Sequence, residues 1–417
     1  MNKVMNNNRS ISIPAGVRDM LPREVSMRRK IEEKIRKIAL KWGYGEVITP
    51  TIEYFDFVSR GIGESRKESM IRFFDDDGQV LGLRMELTAP IARMAAMRFS
   101  QGDFPLRLFY MANVFSKANQ FAGKRRERLQ AGVEIVGSGS LKSDFEAVAL
   151  LINLLNEVML NGYQIGLGHI DVIDSALEET FGDLEMAKKL KKSLLLKNLV
   201  DVSRQLPEKK RQSLLELISL KGNDEVIIEA SSLFGSDKYK SGLDKLDHVY
   251  KELEKSGYGD RIFIDLGIVR SFDYYTGLVF EGYALGSGVP ICGGGRYDNL
   301  MSYFGIDSRA VGFAIDVDII HELNIGTAKR SRKPIKISIM SEDGNFILAI
   351  NLGICLRSRG FDAEAVLEGK EKKDADFEIV LGGDTAKIYF TLQGKQMEVK
   401  VTPDFKDVLN AIEDSSS

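Results

Sequence analysis

Apolar residues recur at helical spacing near the start of the chain. Ile31, Ile35, Ile38 and Trp42 fall on one face at intervals of three and four, and Gly43 supplies a stop, which predicts a helix over residues 24–43. The period then changes. Val47 and Ile48 lead to Pro50 as a short strand, and between residues 70 and 136 brief apolar runs (MIRFF, VLGLRM, LRLFYMANVF, AGVEIVG) are bounded by Asp-Gly and Gly-Asp turn signals, the signature of antiparallel strands. One helix, residues 89–99, interrupts them. From 143 to 161 and again from 171 to 256 the pattern is helical, and the second stretch reads as an inserted helical module. Strand signals return at RIFIDLGIV, YTGLVFEGYAL and VPICGGGRYDN, and a helix over 310–323 closes a first large unit spanning 11–323. Residues 324–334 are polar and basic, with Pro334 as punctuation, and read as a linker. After them KISIM, a helix over 345–359, FDAEAVL, FEIVLGG, KIYFTL and MEVKV predict a small α/β domain over 335–412.

Composition narrows the class. A chain of 417 residues holds two or three domains, and 44% hydrophobic with 28% charged residues is the ordinary globular balance, which excludes a rod or long disorder. Lys plus Arg number 58 against 60 Asp plus Glu, a formal charge of -2, so no whole-molecule field gathers nucleic acid or an anionic membrane. Cys292 and Cys355 lack a CxxC or Cys/His partner, so neither a zinc ribbon nor a disulfide framework is legible, and the expected compartment is reducing. The first ten residues lack an apolar signal core and no run of about 18 apolar residues occurs, which places the protein in the cytoplasm without a membrane partner. His169, His248 and His321 are scattered and are assigned to no catalytic or metal role; no cofactor is expected.

The strongest local signal is CGGGRYDNL, residues 292–300. Three successive glycines let a backbone pass close to a ligand or another strand, or they make a tight turn with a bulge. The motif gains weight from RSFDYYTGLVFEGY at 270–283 and ELTAPIARM at 86–94. In GVEIVG a carboxylate, Glu134, stands among apolar residues of a predicted strand, where an unpaired charge is expensive; Glu86 and Glu134 read either as site residues or as ion-paired strand residues. The run KRRER, 124–128, reads by itself as a solvated basic turn.

Taken together, LRMELTAP, FSKANQFAGKRRERLQAGVEIVG, VRSFDYYTGLVFE, GGGRYDNL and AVGFAIDVDII, in that order, resemble histidyl-tRNA synthetase, and more closely its non-aminoacylating paralogue family, the regulatory subunits of ATP phosphoribosyltransferase. The resemblance covers about residues 11–323 and implies an α+β class II synthetase fold, a mainly antiparallel sheet flanked by helices. The helix and strand ending at Pro50 would be its dimer-forming first motif, and the domain after 334 a shortened anticodon-binding domain. The synthetase positions for an Arg and a Glu in the second motif hold Ser116 and Ala118 here, and the third-motif Arg position holds Ile319. Each lost charge-assisted contact to ATP costs about 1.5–3 kcal/mol. The amino-acid pocket is retained: the resemblance assigns Glu86, Thr88 and Gln130 to the ammonium of histidine, Glu134 and Tyr274 to the imidazole and Arg270 to the carboxylate, with Tyr275 packing on the ring or supporting Tyr274. Arg126 matches a second synthetase arginine and is a candidate phosphate or carboxylate contact. Ser271 and Phe272 replace the synthetase's usual Gly and Leu, and Arg128 and Leu129 stand where aromatic residues and histidine are common.

This pattern implies a chain that makes no chemistry itself. It would be a homodimeric regulatory subunit in a hetero-oligomer with the short-form ATP phosphoribosyltransferase catalytic subunit, a glycosyltransferase complex for the first step of L-histidine biosynthesis, with L-histidine as feedback effector. The competing reading, a divergent histidyl-tRNA synthetase or a synthetase-like tRNA-binding protein, requires ATP and pyrophosphate exchange or RNA binding. From Ser331 to Ser417 there are 12 basic against 15 acidic residues, a poor platform for a polyanion.

Overall fold

The N-terminal periodicity folds as helix α1, Pro22–Lys41, in which Pro22 occupies the first turn and Glu24 accepts a hydrogen bond from the Leu21 N–H at 3.1 Å. Its buried face carries Ile31, Ile35 and Ala39, and Gly43, at φ +82°, turns the chain out of the helix. The computed structural model describes residues 13–59, 62, 64–117, 125–159, 162–182, 187, 190–191, 194, 208–269, 274–325, 335–342, 346–366, 375–391 and 394–416. The chain divides into two compact units, Met1–Thr327 and Ala328–Ser417.

In the first unit the strands are β1 (Gly45–Glu46), β2 (Ile52–Tyr54), β3 (Arg72–Phe74), β4 (Val80–Leu83), β5 (Leu106–Phe115), β6 (Glu127–Val136), β7 (Tyr163–His169), β8 (Lys221–Gly222), β9 (Ile262–Asp265), β10 (Leu278–Ala284), β11 (Cys292–Arg296) and β12 (Ala310–Asp316). Among the described residues the helices of this unit are α1, α2 (Phe55–Val58), α3 (Glu64–Glu68), α4 (Thr88–Arg98), α5 (Leu141–Val158), α6 (Ile170–Phe181), α7 (Glu208–Ser219), α8 (Glu225–Ser231), α9 (Asp237–Leu253) and α10 (Val317–Ile325). A nine-stranded sheet has the order β1-β5-β6-β12-β11-β10-β7-β9-β8, parallel at β1–β5 and β7–β9 and antiparallel elsewhere, and β2-β4-β3 form a smaller antiparallel sheet. This is the α+β architecture expected.

The alternation of each strand divides the large sheet into two unlike faces. Phe109, Ala131, Val133, Ile135, Leu167, Phe280, Val311, Phe313 and Ile315 point to one side and join α1, α5 and α6 in the main apolar core. The opposite side is covered at one end by α4, through Leu87, Ile91 and Ala95 against Leu106, Leu108 and Tyr110. Its central rows carry few side chains: Glu134 is paired to Gly312 and that to Gly295, and Gly132 is paired to Ala314 and that to Gly293.

Residues 310–316, expected as the start of a helix, are strand β12, and the helix begins at Val317. The physical reason is the period of two in Val311, Phe313 and Ile315, which places those three against the core and Gly312, Ala314 and Asp316 on the other face. Strand β7 lies in 162–170, which the periodicity leaves unassigned. The first two residues of the expected linker belong to α10; 326–334 lie outside the described residues, as do 11–12 and most of 183–207 of the helical insertion.

The second unit contains β13 (Lys336–Ser341), α11 (Phe346–Ser358), β14 (Asp362–Ala365), β15 (Phe377–Gly382), β16 (Thr385–Phe390), β17 (Lys395–Lys400) and α12 (Lys406–Ser416). Its sheet order is β14-β13-β15-β16-β17, with β13 parallel to both neighbours. Ile337, Ile339, Leu352, Ile379, Ile388, Val408 and Ile412 make its own core.

Candidate functional site

Four elements converge on the bare face of the large sheet. At the end of β4, buried Arg84 donates to the carbonyls of Thr49 (2.6 Å), Asn113 (2.8 Å) and Pro50 (3.3 Å), which anchors the segment that carries Glu86 into α4. Glu86 is buried and accepts from the backbone N–H groups of Thr88 (2.5 Å) and Ala89 (2.9 Å), so its carboxylate caps the first turn of α4. Burial pushes its carboxyl up to about 6 against the pull of those N–H groups.

The Thr88 hydroxyl donates to Glu134 Oε1 at 2.9 Å, while the Tyr297 hydroxyl donates to Glu134 Oε2. Glu134 is 1% exposed, and burial raises its carboxyl to about 8 although both hydroxyls oppose the shift. The buried ring of Tyr274 lies 4.8 Å from that of Tyr275 and 5.6 Å from that of Tyr297, centroid to centroid. Buried Tyr110, from β5, closes the far side, with its hydroxyl 3.4 Å from the Phe313 carbonyl. Burial holds the hydroxyls of Tyr110, Tyr274 and Tyr297 well above the usual phenol range, so all three are neutral donors. The result is a nearly dry cage of two carboxylates, a threonine and three tyrosines.

The triple glycine is not a turn. It forms β11, inside the sheet, and its neighbours show why side chains are excluded. A Cβ on Gly312 would strike Glu134 Oε2, and one on Gly132 would strike the Tyr110 hydroxyl. Arg296, at the end of β11, is buried and structural: it donates to Asp144 and the Ser138 carbonyl (both 3.0 Å) and to the Ser140 carbonyl (3.1 Å). That clamp on the start of α5 fixes the chain from which Tyr297 reaches the cage.

Of the residues singled out from the sequence, Glu86, Thr88, Glu134, Tyr274 and Tyr275 come together. Thr88 joins the two glutamates, its N–H donating to Glu86 and its hydroxyl to Glu134. Gln130 is half-buried on the same face, four residues along β6, about 13 Å from Glu134 along the strand. Arg270 and Ala118 lie outside the described residues. The basic run is not a solvated turn throughout: Arg128 pairs with Asp316 at 3.1 Å, and Arg125 pairs with Glu322. Arg126 holds its neighbours through its backbone, and its buried Nε has no hydrogen-bond partner among the described residues. Ser116 follows β5 directly, with its N–H on the Arg126 carbonyl at 2.9 Å, and Ile319 packs against the main core with its N–H on Asp316 at 3.1 Å. Where a guanidinium fork would be needed to hold polyphosphate, these two positions offer a hydroxyl and a hydrocarbon.

Sequence reasoning missed Tyr297, Tyr110 and Glu281. Tyr297 follows the flagged glycines directly, and Tyr110 shares a row with Gly132. Glu281 occupies the same sheet face beside Gly293 and receives the Tyr283 hydroxyl at 2.6 Å. A separate cavity in the helical insertion, lined by Glu179, Ser232, Phe234 and Lys240 among others, shares no residue with the cage.

Comparison with known proteins agrees with this layout. Residues 16–320 match the family model described as histidyl-tRNA synthetase. A protein of Desulforamulus reducens named ATP phosphoribosyltransferase regulatory subunit is 34% identical over 95% of this chain and 100% of its own length. A protein of the same name from Moorella thermoacetica is 39% identical over 75% of this chain and 82% of its own. Among solved structures, a Bacillus halodurans protein described as an ATP phosphoribosyltransferase regulatory subunit/histidyl-tRNA synthetase aligns over 90% of this chain and 99% of its own, with 31% identity and a TM-score of 0.79. Histidyl-tRNA synthetase of Nostoc, 20% identical with a TM-score of 0.77 over 97% of this chain and 99% of its own, shares the fold.

Proposed function

The chain belongs to the histidyl-tRNA synthetase family, among its ATP phosphoribosyltransferase regulatory subunits, and from that premise we propose that it binds L-histidine in the Glu86–Glu134 cage and relays it as feedback inhibition. The observation that carries this reading is a contrast between two sets of positions. The cage is complete in carboxylates and hydroxyls, whereas Ser116 and Ile319 stand where the synthetase resemblance expects the arginines that ATP activation requires.

In this reading the free lone pairs of Glu86 and the amide of Gln130 meet the ammonium, Glu134 and Tyr274 meet the ring, and Arg270 meets the carboxylate. Tyr275 supports Tyr274, whose ring it touches. The protein acts as a cytoplasmic homodimer within a larger assembly, bound to a short-form ATP phosphoribosyltransferase catalytic subunit. That subunit condenses ATP with phosphoribosyl pyrophosphate in the first step of histidine biosynthesis. Coupling between histidine and the active assembly is reciprocal, so substrates that favour the active state weaken histidine binding by the same factor.

The test is to mix the full chain with a short-form catalytic subunit and measure phosphoribosyl-ATP formation with and without histidine. Activation on mixing and inhibition by histidine are expected, with Glu134→Ala activating normally and losing histidine sensitivity at least tenfold. Failure to activate overturns the regulatory reading for this chain. Histidine-dependent exchange of pyrophosphate into ATP would replace it with a synthetase.

A further inference from the structure

We propose that the outward face of α1, on which Arg23, Lys30, Lys34, Lys37 and Lys41 stand in one line, is the surface that docks the catalytic subunit, through a complementary row of carboxylates on that partner. The inference rests on the regulatory reading, which supplies the partner, and adds to it the face and the chemistry of the contact.

The line follows from helix geometry. At about 100° per residue, positions 23, 30, 34, 37 and 41 fall within about 40° of one direction, and at about 1.5 Å per residue they span about 27 Å of α1. All five are exposed, while Ile31, Ile35 and Ala39 hold the buried face. Like charges three and four residues apart, Lys30 with Lys34, Lys34 with Lys37 and Lys37 with Lys41, repel one another and weaken the helix that carries them. A face that meets only water has no use for that arrangement. Helix α9 shows the usual alternative, with Lys251 paired to Asp247 at 2.8 Å and Lys238 to Asp171 at 3.7 Å.

The carboxylates of α1 do not neutralise the line. Glu24 caps the helix and pairs with Arg18 at 3.3 Å, and Glu32 is buried and paired with Arg28 and Arg29. Glu33 lies about 80° round the helix from it. Among the described residues no ion pair joins any of the five cations to a carboxylate; Lys34 donates instead to the Glu157 carbonyl at 2.9 Å.

An acidic protein surface fits this face better than the other occupants. In a two-fold contact between copies the line would meet itself, cation on cation. RNA is served by arginine forks and by aromatic rings that stack on bases, whereas four of the five cations are lysines and α1 contains no aromatic residue. Hydrated lysine charges in a row suit the steering of an oppositely charged protein partner, which raises the association rate and is screened by salt.

The test follows association of the full chain with a short-form catalytic subunit at 50 and 500 mM salt. Wild-type association is expected to slow steeply with salt. The triple variant Lys30→Gln/Lys37→Gln/Lys41→Gln, which spares the Lys34 hydrogen bond, is expected to associate about tenfold more slowly at 50 mM and to depend less on salt, with histidine affinity and thermal unfolding unchanged. Lys387→Gln/Lys395→Gln/Lys400→Gln, which removes the same charge from exposed positions of the second unit, is expected to associate as the wild type does. Equal rates for wild type and the α1 variant, or equal slowing in the second-unit control, overturn the docking face and leave the regulatory reading standing. If the triple variant does not fold, Lys37→Glu decides, and a rate equal to that of the wild type overturns the inference. Tight tRNA binding that the α1 variant loses would make the face an RNA surface and overturn it likewise. No complex with the catalytic subunit at either salt concentration overturns the regulatory reading and this inference together.

Discussion

At the scale of the residue, the cage depends as much on what is missing as on what is present. Gly312→Ala places a methyl against Glu134 Oε2 and the Val133 carbonyl. Overpacking of this kind costs about 1–3 kcal/mol, so thermal unfolding is expected to fall by a few degrees while histidine affinity, read by calorimetry, drops by tenfold or more. An affinity equal to that of the wild type would remove the cage from the histidine site. Part of this site was legible beforehand. Glu134 announced itself as a carboxylate among valine and isoleucine, and the glycines of 293–295 as a place where side chains are excluded. Tyr110 and Tyr297 did not, because a tyrosine in a strand or just beyond one reads as ordinary core until β11, β12, β6 and β5 are set side by side.

At the scale of the element, the ends of helices carry the polar burden. Helix α4 is capped by the Glu86 carboxylate, and α6 by His169, whose Nδ1 accepts from the Asp171 N–H at 3.2 Å. Burial, helped by Lys245, Arg296 and Lys238, lowers the His169 imidazole to about 3. The folded value lies below the unfolded value of about 6.5, so the unfolded state binds the extra proton between them. The stabilisation is complete above pH 6.5 and is lost as pH falls towards 3, with a slope of up to about 1.4 kcal/mol per pH unit. Urea unfolding of His169→Asn, which keeps a side-chain acceptor at the cap, is expected to show a shallower loss between pH 6.5 and 4.5 than the wild type. Equal slopes would mean that other groups govern the acid limb. Helices with a clear 3.6-residue period were the readable elements: α1, α4 and α11 begin and end within two residues of expectation. The strands β7 and β12 were not. Gly166 and Gly168 dilute the alternation of β7, and the three apolar positions of β12 run without a break into the helical pattern of α10.

At the scale of the whole molecule, charge separates a sensor of a small molecule from a handler of RNA. Two arginines of the basic run are paired with carboxylates, Arg128 with Asp316 and Arg125 with Glu322, and the stretch from Ser331 to Ser417 carries three more acidic than basic residues. Filter binding of the full chain to tRNA is therefore expected to be weak, with a shallow dependence on salt. Tight binding that weakens steeply between 50 and 200 mM salt, the signature of several phosphate contacts, would favour the RNA-binding reading instead. Changes of period in the sequence set the expected helical insertion at 171–256 and the expected second domain after 334; the structure divides into the units Met1–Thr327 and Ala328–Ser417, and 326–334 lie outside the described residues. The bare floor of the cleft has a last consequence, which concerns inheritance. A recess walled by side chains can be widened or narrowed by mutation, but one floored by backbone can only be filled. For Gly132 and Gly312 every single-base change of codon that puts another residue there adds atoms, so the open floor of the cage lies one mutational step from being filled at either position, and the return path is the same single codon.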